Sequence, residues 1–206
     1  MSGPSQHLVT LDLEGVLVPE IWIAVAERTG VEGLTRTTRD EPDYDTLMRY
    51  RLDLLDRHDL GMDDVTEVIA GLEPLPGASS FLARLRERAQ VVILSDTFEE
   101  FARPLMRQLA WPTLMCHRLE VSEGRITGYR LRMPDQKRAA VEAFRSLNYR
   151  VVSAGDSYND VSMLLAAHAG FLIHAPDNVR SEFPELPAVD TLDELYDRIV
   201  DALDAA

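Results

Sequence analysis

The stretch HLVTLDLEG, residues 7–15, decides how this chain is read. Its first part, HLVTLD (7–12), is apolar on consecutive positions, as in a strand covered on both faces, and it stops at a carboxylate. Three more runs share that form: QVVILSD (90–96), RVVSAGD (150–156) and AGFLIHA (169–175). Helix-like stretches lie between them, Ala78 to Arg88, Ala139 to Ser146 and Val161 to Ala167. Strand alternating with helix predicts an α/β fold on a doubly wound parallel sheet. Ligands of such sheets bind outside the carboxyl ends of the strands, which singles out Asp12, Ser95 and Asp156.

One segment breaks the rhythm. From Pro19 to about Pro74 there are helical patterns and no strand run, closed by Pro74-Leu75-Pro76-Gly77. This predicts a helical cap over 19–75, inserted between a first piece of core (1–18) and the remainder (76–206). Residues 118–132 alternate around Ser122-Glu123-Gly124-Arg125, a small β-hairpin. Thr191 and Glu194 have capping-box spacing at the head of a last helix.

Composition narrows the function. The 206 residues carry 21 basic and 35 acidic side chains, a formal charge of −14 that repels a nucleic-acid backbone. No apolar run reaches the roughly 18 residues of a spanning helix. The start, MSGPSQH, lacks a signal-peptide pattern and Cys116 is the single cysteine, so the expectation is a cytoplasmic protein without an internal disulfide. Nothing in the sequence fixes an oligomeric state, and a homo-oligomer stays open.

Asp12 and Glu14 follow the first strand, where Gly15 lets the chain turn away; a plain strand-ending turn would use the same residue types. In GDSYND (155–160), Asp156, Ser157, Asn159 and Asp160 crowd a helix start, although one N-cap needs one such residue. If the strand ends converge, Asp12, Glu14, Asp156 and Asp160 share a crevice, and two unit charges about 4 Å apart at an effective dielectric of 20 repel by roughly 4 kcal/mol. A hard cation with oxygen ligands answers that repulsion, and Mg²⁺ fits. Lys137, the one lysine beside 20 arginines, is either a compositional survivor or a compact ammonium placed to meet a phosphoryl oxygen. Ser95 offers a hydroxyl to the same group.

In YDTLMRYRLDLLDRH (44–58), Leu47, Met48, Tyr50, Leu52, Leu54 and Leu55 form one apolar arc, with Arg51 near its middle. A guanidinium there needs an acceptor, either an internal Asp or Glu or a substrate carboxylate. Glu20, eight residues past Asp12, either serves a helix N-terminus or overhangs the crevice. Glu20 and Arg51 together match the ammonium and carboxylate of an amino acid.

Asp12, Ser95, Lys137 and the Asp156/Asp160 pair occur in the order that resembles the haloacid dehalogenase superfamily of phosphotransferases, over nearly the whole chain and with its Rossmann-type core. That resemblance implies a nucleophilic Asp12 that becomes an aspartyl-phosphate, Glu14 as general acid/base, and Mg²⁺ held by Asp12, the Glu14 carbonyl and Asp156, with Asp160 behind them. DLEGVLVPEIW (12–22), RDEPDYDTLM (39–48), VVILSDTF (91–98) and GDSYND resemble the phosphoserine phosphatase group, in particular a bifunctional branch that also passes the phosphoryl group to homoserine. The resemblance implies substrate contacts at Glu20, Arg51, Ser95, Asp96, Lys137 and Asn159. The partners expected are a small phosphorylated amino acid and an alcohol acceptor, with no nucleic acid and no membrane. Two departures stand out: Glu14 replaces the usual Asp, and Ser95-Asp96-Thr97 replaces Ser-Gly-Gly. A phosphatase for another small organophosphate, a phospho-acceptor domain without catalysis, and a pseudoenzyme are the rival readings.

Overall fold

The computed structural model describes residues 6–37, 40, 41 and 43–205. Its centre is β1 (Gln6–Leu11), flanked by β2 (Gln90–Phe98) and β5 (Tyr149–Gly155), both parallel to it. Beyond β2 lie β3 (Thr113–Ser122) and β4 (Arg125–Arg130); beyond β5 lie β6 (Ala169–Ile173) and the short β7 (Ala188–Val189). The sheet order is β4-β3-β2-β1-β5-β6-β7, parallel except for the β3/β4 pair. The chain moves outward from β1 on one side and returns to fill the other, so the switch point falls between β1 and β5, where a crevice opens.

The consecutive apolar pattern has the expected cause. Val91 and Ile93 face one cluster while Val92 and Leu94 face another. On the first face pack α4 (Ala78–Arg86), α5 (Glu99–Gln108) and α9 (Leu192–Asp204). On the second pack α6 (Gln136–Ser146), α7 (Tyr158–Ala166) and the short α8 (Asp177–Glu182), the last through Val179. Thr10 and Ser153 sit opposite each other in the β1/β5 register, and their hydroxyls meet at 2.6 Å in the interior. A one-residue slip would turn each to the other face, so this pair helps to fix which loops meet at the strand ends.

Between β1 and α4 the chain is helical: α1 (Ile21–Thr29), a 3₁₀ turn at Glu32–Thr35, α2 (Tyr44–Arg57) and α3 (Met62–Ala70). Asp43 caps α2 by accepting the Thr46 N–H at 2.7 Å. The arc anticipated for α2 buries Leu47, Met48, Leu54 and Leu55. Ile21, Trp22, Val25, Met48, Val65 and Ile69 join the same apolar cluster as Val9, Ile93 and Phe101, and the Trp22 ring meets Phe101 edge-on at 5.5 Å.

The hairpin forms with Glu123 and Gly124 at positive φ, 49° and 77°, as a tight turn requires. Its first strand reaches further than the alternation indicated: residues 113–117 pair with β2 and draw the hairpin into the main sheet. The last helix starts as anticipated, with the Thr191 hydroxyl accepting the Glu194 N–H, but the Glu194 carboxylate accepts from Asp190 rather than returning to Thr191. Among the described residues, no helix is long and apolar enough to cross a membrane.

Candidate active site

The crevice at the carboxyl ends of β1, β2 and β5 is a cleft of about 330 Å³, and its lining includes every residue singled out in the sequence except Asp160. Asp12 leaves β1 with its N–H on the Ala154 carbonyl (3.0 Å), so it stands beside the end of β5. Carboxylate oxygens of Asp12, Asp156 and Asp160 all lie within 4.8 Å of one another. Two glycines make this approach possible. Gly15 has φ +74°, and a β-carbon on it would come within 2.6 Å of Asp156 Oδ2; one on Gly155 would come within 2.4 Å of Asp160 Cγ.

Asp160 is already satisfied. Its Oδ2 accepts the N–H of Asp156 (3.0 Å) and of Ser157 (3.2 Å) at the start of α7, and its Oδ1 takes the Lys137 ammonium at 2.7 Å. Lys137, buried at the start of α6, also lies 2.9 Å from Asp12 and 3.5 Å from Asp96. Burial disfavours its charge, yet Asp12, Asp160 and Asp96 hold its pKa well above the usual lysine value. One ammonium among these carboxylates is insufficient: burial, with the charges of Asp160 and Asp156, still pushes Asp12 well above the ordinary carboxylate range. The donors are all oxygen and the group is short of positive charge, which suits a hard divalent cation such as Mg²⁺.

Glu14 turns back toward the insertion. Its Oε2 accepts the Ile21 N–H at 2.8 Å, so Glu14 rather than Glu20 satisfies the start of α1. Glu20 occupies the N-cap position without a side-chain capping bond and lines the cleft. Burial and then the charge of Glu20 push the Glu14 carboxyl up to about 7, against the Ile21 hydrogen bond, Thr97 and Arg51. A carboxyl with such a value exchanges protons readily near neutral pH.

Arg51 is buried, as its place in the arc implied, but it does not lean on an internal carboxylate in direct contact. It donates to the Arg36 carbonyl (2.6 Å), reaches Met48 Sδ (3.9 Å) and lies 4.7 Å over the Trp22 ring, while its Nε has no hydrogen-bond partner. Burial lowers its pKa to about 10, and Glu14, Tyr44 and Glu20 oppose that shift.

The Ser95-Asp96 segment at the end of β2 is held from several sides. Ser95 Oγ accepts the Thr97 N–H (3.2 Å). Asp96 accepts from Asn159 Nδ2 (2.8 Å) and Gln136 Nε2 (3.1 Å), and its carbonyl accepts the Tyr44 hydroxyl from α2 (3.0 Å). Burial would raise the Asp96 carboxyl, but Lys137 and hydrogen bonds from His117, Asn159 and Gln136 hold it well below the usual range. Tyr44, Asp96, Lys137 and Asn159 also border a neighbouring cavity of about 860 Å³ that extends to Met133 and Tyr158.

Three residues here were not identified from sequence. Tyr44 read as part of an amphipathic helix, and His117 falls just outside the stretch read as a hairpin. His174 looked like a strand end; it has φ +53°, and its Nδ1 lies 3.1 Å from the Gly15 carbonyl at the cleft wall. No spacing signal marks it. Cys116 is not a candidate nucleophile, because burial, with Glu99 and Glu100, pushes its thiol up to about 12.

A model of the haloacid dehalogenase-like hydrolases matches residues 7–168, and the chain belongs to that family of hydrolases. Its relatives narrow the group. It is 62% identical over 190 residues to phosphoserine phosphatase ThrH of Pseudomonas aeruginosa, covering 92% of this chain and 93% of that protein. It is 60% identical over 197 residues to a phosphoserine phosphatase of Pseudomonas syringae pv. tomato, covering 95% and 83%. A solved phospho-aspartyl intermediate analogue of phosphoserine phosphatase superposes with a TM-score of 0.80 at 21% identity, covering 94% of this chain and 99% of the other, which shows a shared fold.

Proposed function

We propose that this protein is a Mg²⁺-dependent phosphoserine phosphatase that works through an aspartyl-phosphate on Asp12 and can also pass the phosphoryl group to homoserine. The observation that carries this reading is the placement of Asp12 between Lys137 at 2.9 Å and the Asp156 carboxylate at the strand-switch crevice. The similarity to ThrH over nearly the full length of both chains supports the substrate.

Asp12, Asp156 and the Glu14 carbonyl would hold the ion, which when bound would offset the charge of an incoming phosphate. Lys137 balances Asp12, Asp160 and Asp96 and brings positive charge to the cleft wall where the phosphoryl oxygens would sit. Asp12 attacks phosphorus as the ester P–O bond breaks, and Glu14 gives its proton to the departing serine oxygen. Glu14 then takes the proton of a water, or of an acceptor alcohol, as that oxygen attacks phosphorus and frees Asp12. The covalent step divides one displacement into two easier ones. Residues 19–75 act as the cap over a core made of 1–18 and 76–206. Arg51 and Glu20 both line the cleft, and we assign Arg51 to the substrate carboxylate and Glu20 to its ammonium.

The test follows products from L-phosphoserine and Mg²⁺ with and without homoserine. Phosphate release from the wild type and none from a folded Asp12→Asn variant supports the hydrolase half, and appearance of phosphohomoserine supports the transferase half. Retained turnover in Asp12→Asn refutes the covalent mechanism.

A further inference from the structure

Asp96, at the end of β2, has two buried partners that lie outside the cleft. His117, 4% exposed on β3, accepts the Arg132 N–H at its Nδ1 (3.1 Å). That bond places the ring proton on Nε2, which lies 3.5 Å from Asp96 Oδ1. The ring is walled in by Tyr44 and Phe98, with centroids at 6.2 and 6.3 Å. Gln136, 2% exposed, takes Arg132 Nε on its Oε1 (3.0 Å) and donates through Nε2 to both the Ser95 carbonyl and Asp96 Oδ1. Arg132 therefore orients both partners, and both converge on one carboxylate oxygen, while Asn159 holds the other.

We propose that His117 and Gln136 are positioning residues that act through Asp96, fixing the Ser95-Asp96 segment in the place where it meets the phosphoryl group. Neither lines the 330 Å³ cleft, so neither acts by touching substrate there. They border the adjoining cavity instead, so the Asp96 carboxylate and its partners form the partition between the two spaces. Without the Asp96 side chain these buried donors would lose their shared acceptor, and without them the carboxylate would keep Asn159 at 2.8 Å and Lys137 at 3.5 Å on Oδ2 but lose the contacts that fix Oδ1. The proposal rests on the phosphatase reading, in that Ser95 and Asp96 border the transferred group.

The test compares His117→Leu with His117→Gln, and Gln136→Leu with the wild type, on L-phosphoserine and on p-nitrophenyl phosphate. His117→Leu and Gln136→Leu are expected to lower kcat/KM about tenfold on both substrates, the size usual for loss of such a supporting contact. His117→Gln, which keeps a donor toward Asp96, is expected to recover most of the loss. In an Asp96→Ala background His117→Leu should add nothing, whereas Gln136→Leu should add only the part due to its bond to the Ser95 carbonyl. The proposal fails if His117→Leu keeps wild-type kcat/KM, if His117→Gln is as impaired as His117→Leu, or if the losses multiply fully with Asp96→Ala. Wild-type enzyme that cleaves p-nitrophenyl phosphate but not phosphoserine would overturn the substrate reading alone, since the series can still be read on the first substrate.

Discussion

Gly15 and Asp156 occupy space that cannot hold one more carbon: a β-carbon at position 15 would lie 2.6 Å from Asp156 Oδ2, on a backbone at φ +74°. The same turn carries Glu14 and follows Asp12. Gly15→Ala should therefore displace Asp156 and weaken Mg²⁺ binding together with turnover, by tenfold or more in kcat/KM. Mg²⁺ titration followed by thermal shift checks it, and wild-type Mg²⁺ affinity would refute the account.

Removing the central ammonium tests the charge balance. Lys137→Met leaves Asp12, Asp160 and Asp96 without their shared partner at 2.9, 2.7 and 3.5 Å. Loss of one partner from a buried charge set typically destabilises by about 3–5 kcal/mol. Urea unfolding should show a loss of that order without metal, and a larger rise in stability on adding Mg²⁺ than the wild type shows.

Arg51 offers an unpartnered buried Nε near the cleft. Arg51→Ala should lower kcat/KM for phosphoserine by about tenfold more than for p-nitrophenyl phosphate, which has no carboxylate to lose. Equal losses on both would remove the carboxylate contact.

The hairpin tip and the α2–α3 loop are joined by the Met62 N–H on the Gly124 carbonyl (2.7 Å) and by Arg125 with Asp59 (2.9 Å). The ion pair is exposed, so Arg125→Ala should cost about 1 kcal/mol or less. Gly61→Ala should destabilise more, because its β-carbon would meet the Gly124 carbonyl oxygen at 2.9 Å. Chemical denaturation of the two variants gives the order.

His168 sets a pH dependence away from the cleft. Burial, with Arg145 and Arg150, lowers its pKa below the usual 6.5, and its Nδ1 accepts the Val151 N–H at 3.0 Å. The unfolded chain takes up the proton more readily, so this contribution to stability is fully present above pH 6.5 and is lost as pH falls through that value toward the folded pKa. Melting temperature should fall less between pH 7.5 and 5.5 in His168→Asn, which keeps an acceptor that does not titrate, than in the wild type.

How much of this was visible in the sequence differs from residue to residue. Asp12 and Asp156 end strands that announce themselves by unbroken apolar runs, so their convergence follows from parallel topology. Arg51 was visible as a charge inside an apolar arc. Its actual contacts were not, because a carbonyl, a thioether and an indole face leave no mark at fixed spacing. Of the two readings open for Glu20, the helix start is served by Glu14 instead and Glu20 lines the cleft, a matter of how the turn at Gly15 aims the Glu14 side chain. His117 and His174 escaped notice because each depends on partners far along the chain, Arg132 and Gly15, that only the folded sheet brings near.

The apolar cluster that runs without a break from Val9 and Ile93 through Trp22 to Ile69 bears on how this molecule opens and melts. A helical segment with its own oily interior could swing as a separate body; the one between β1 and α4 is cemented to the sheet by carbons that also fill the core. Heating should therefore dissolve that segment and the sheet in one transition, which a single calorimetric peak would show.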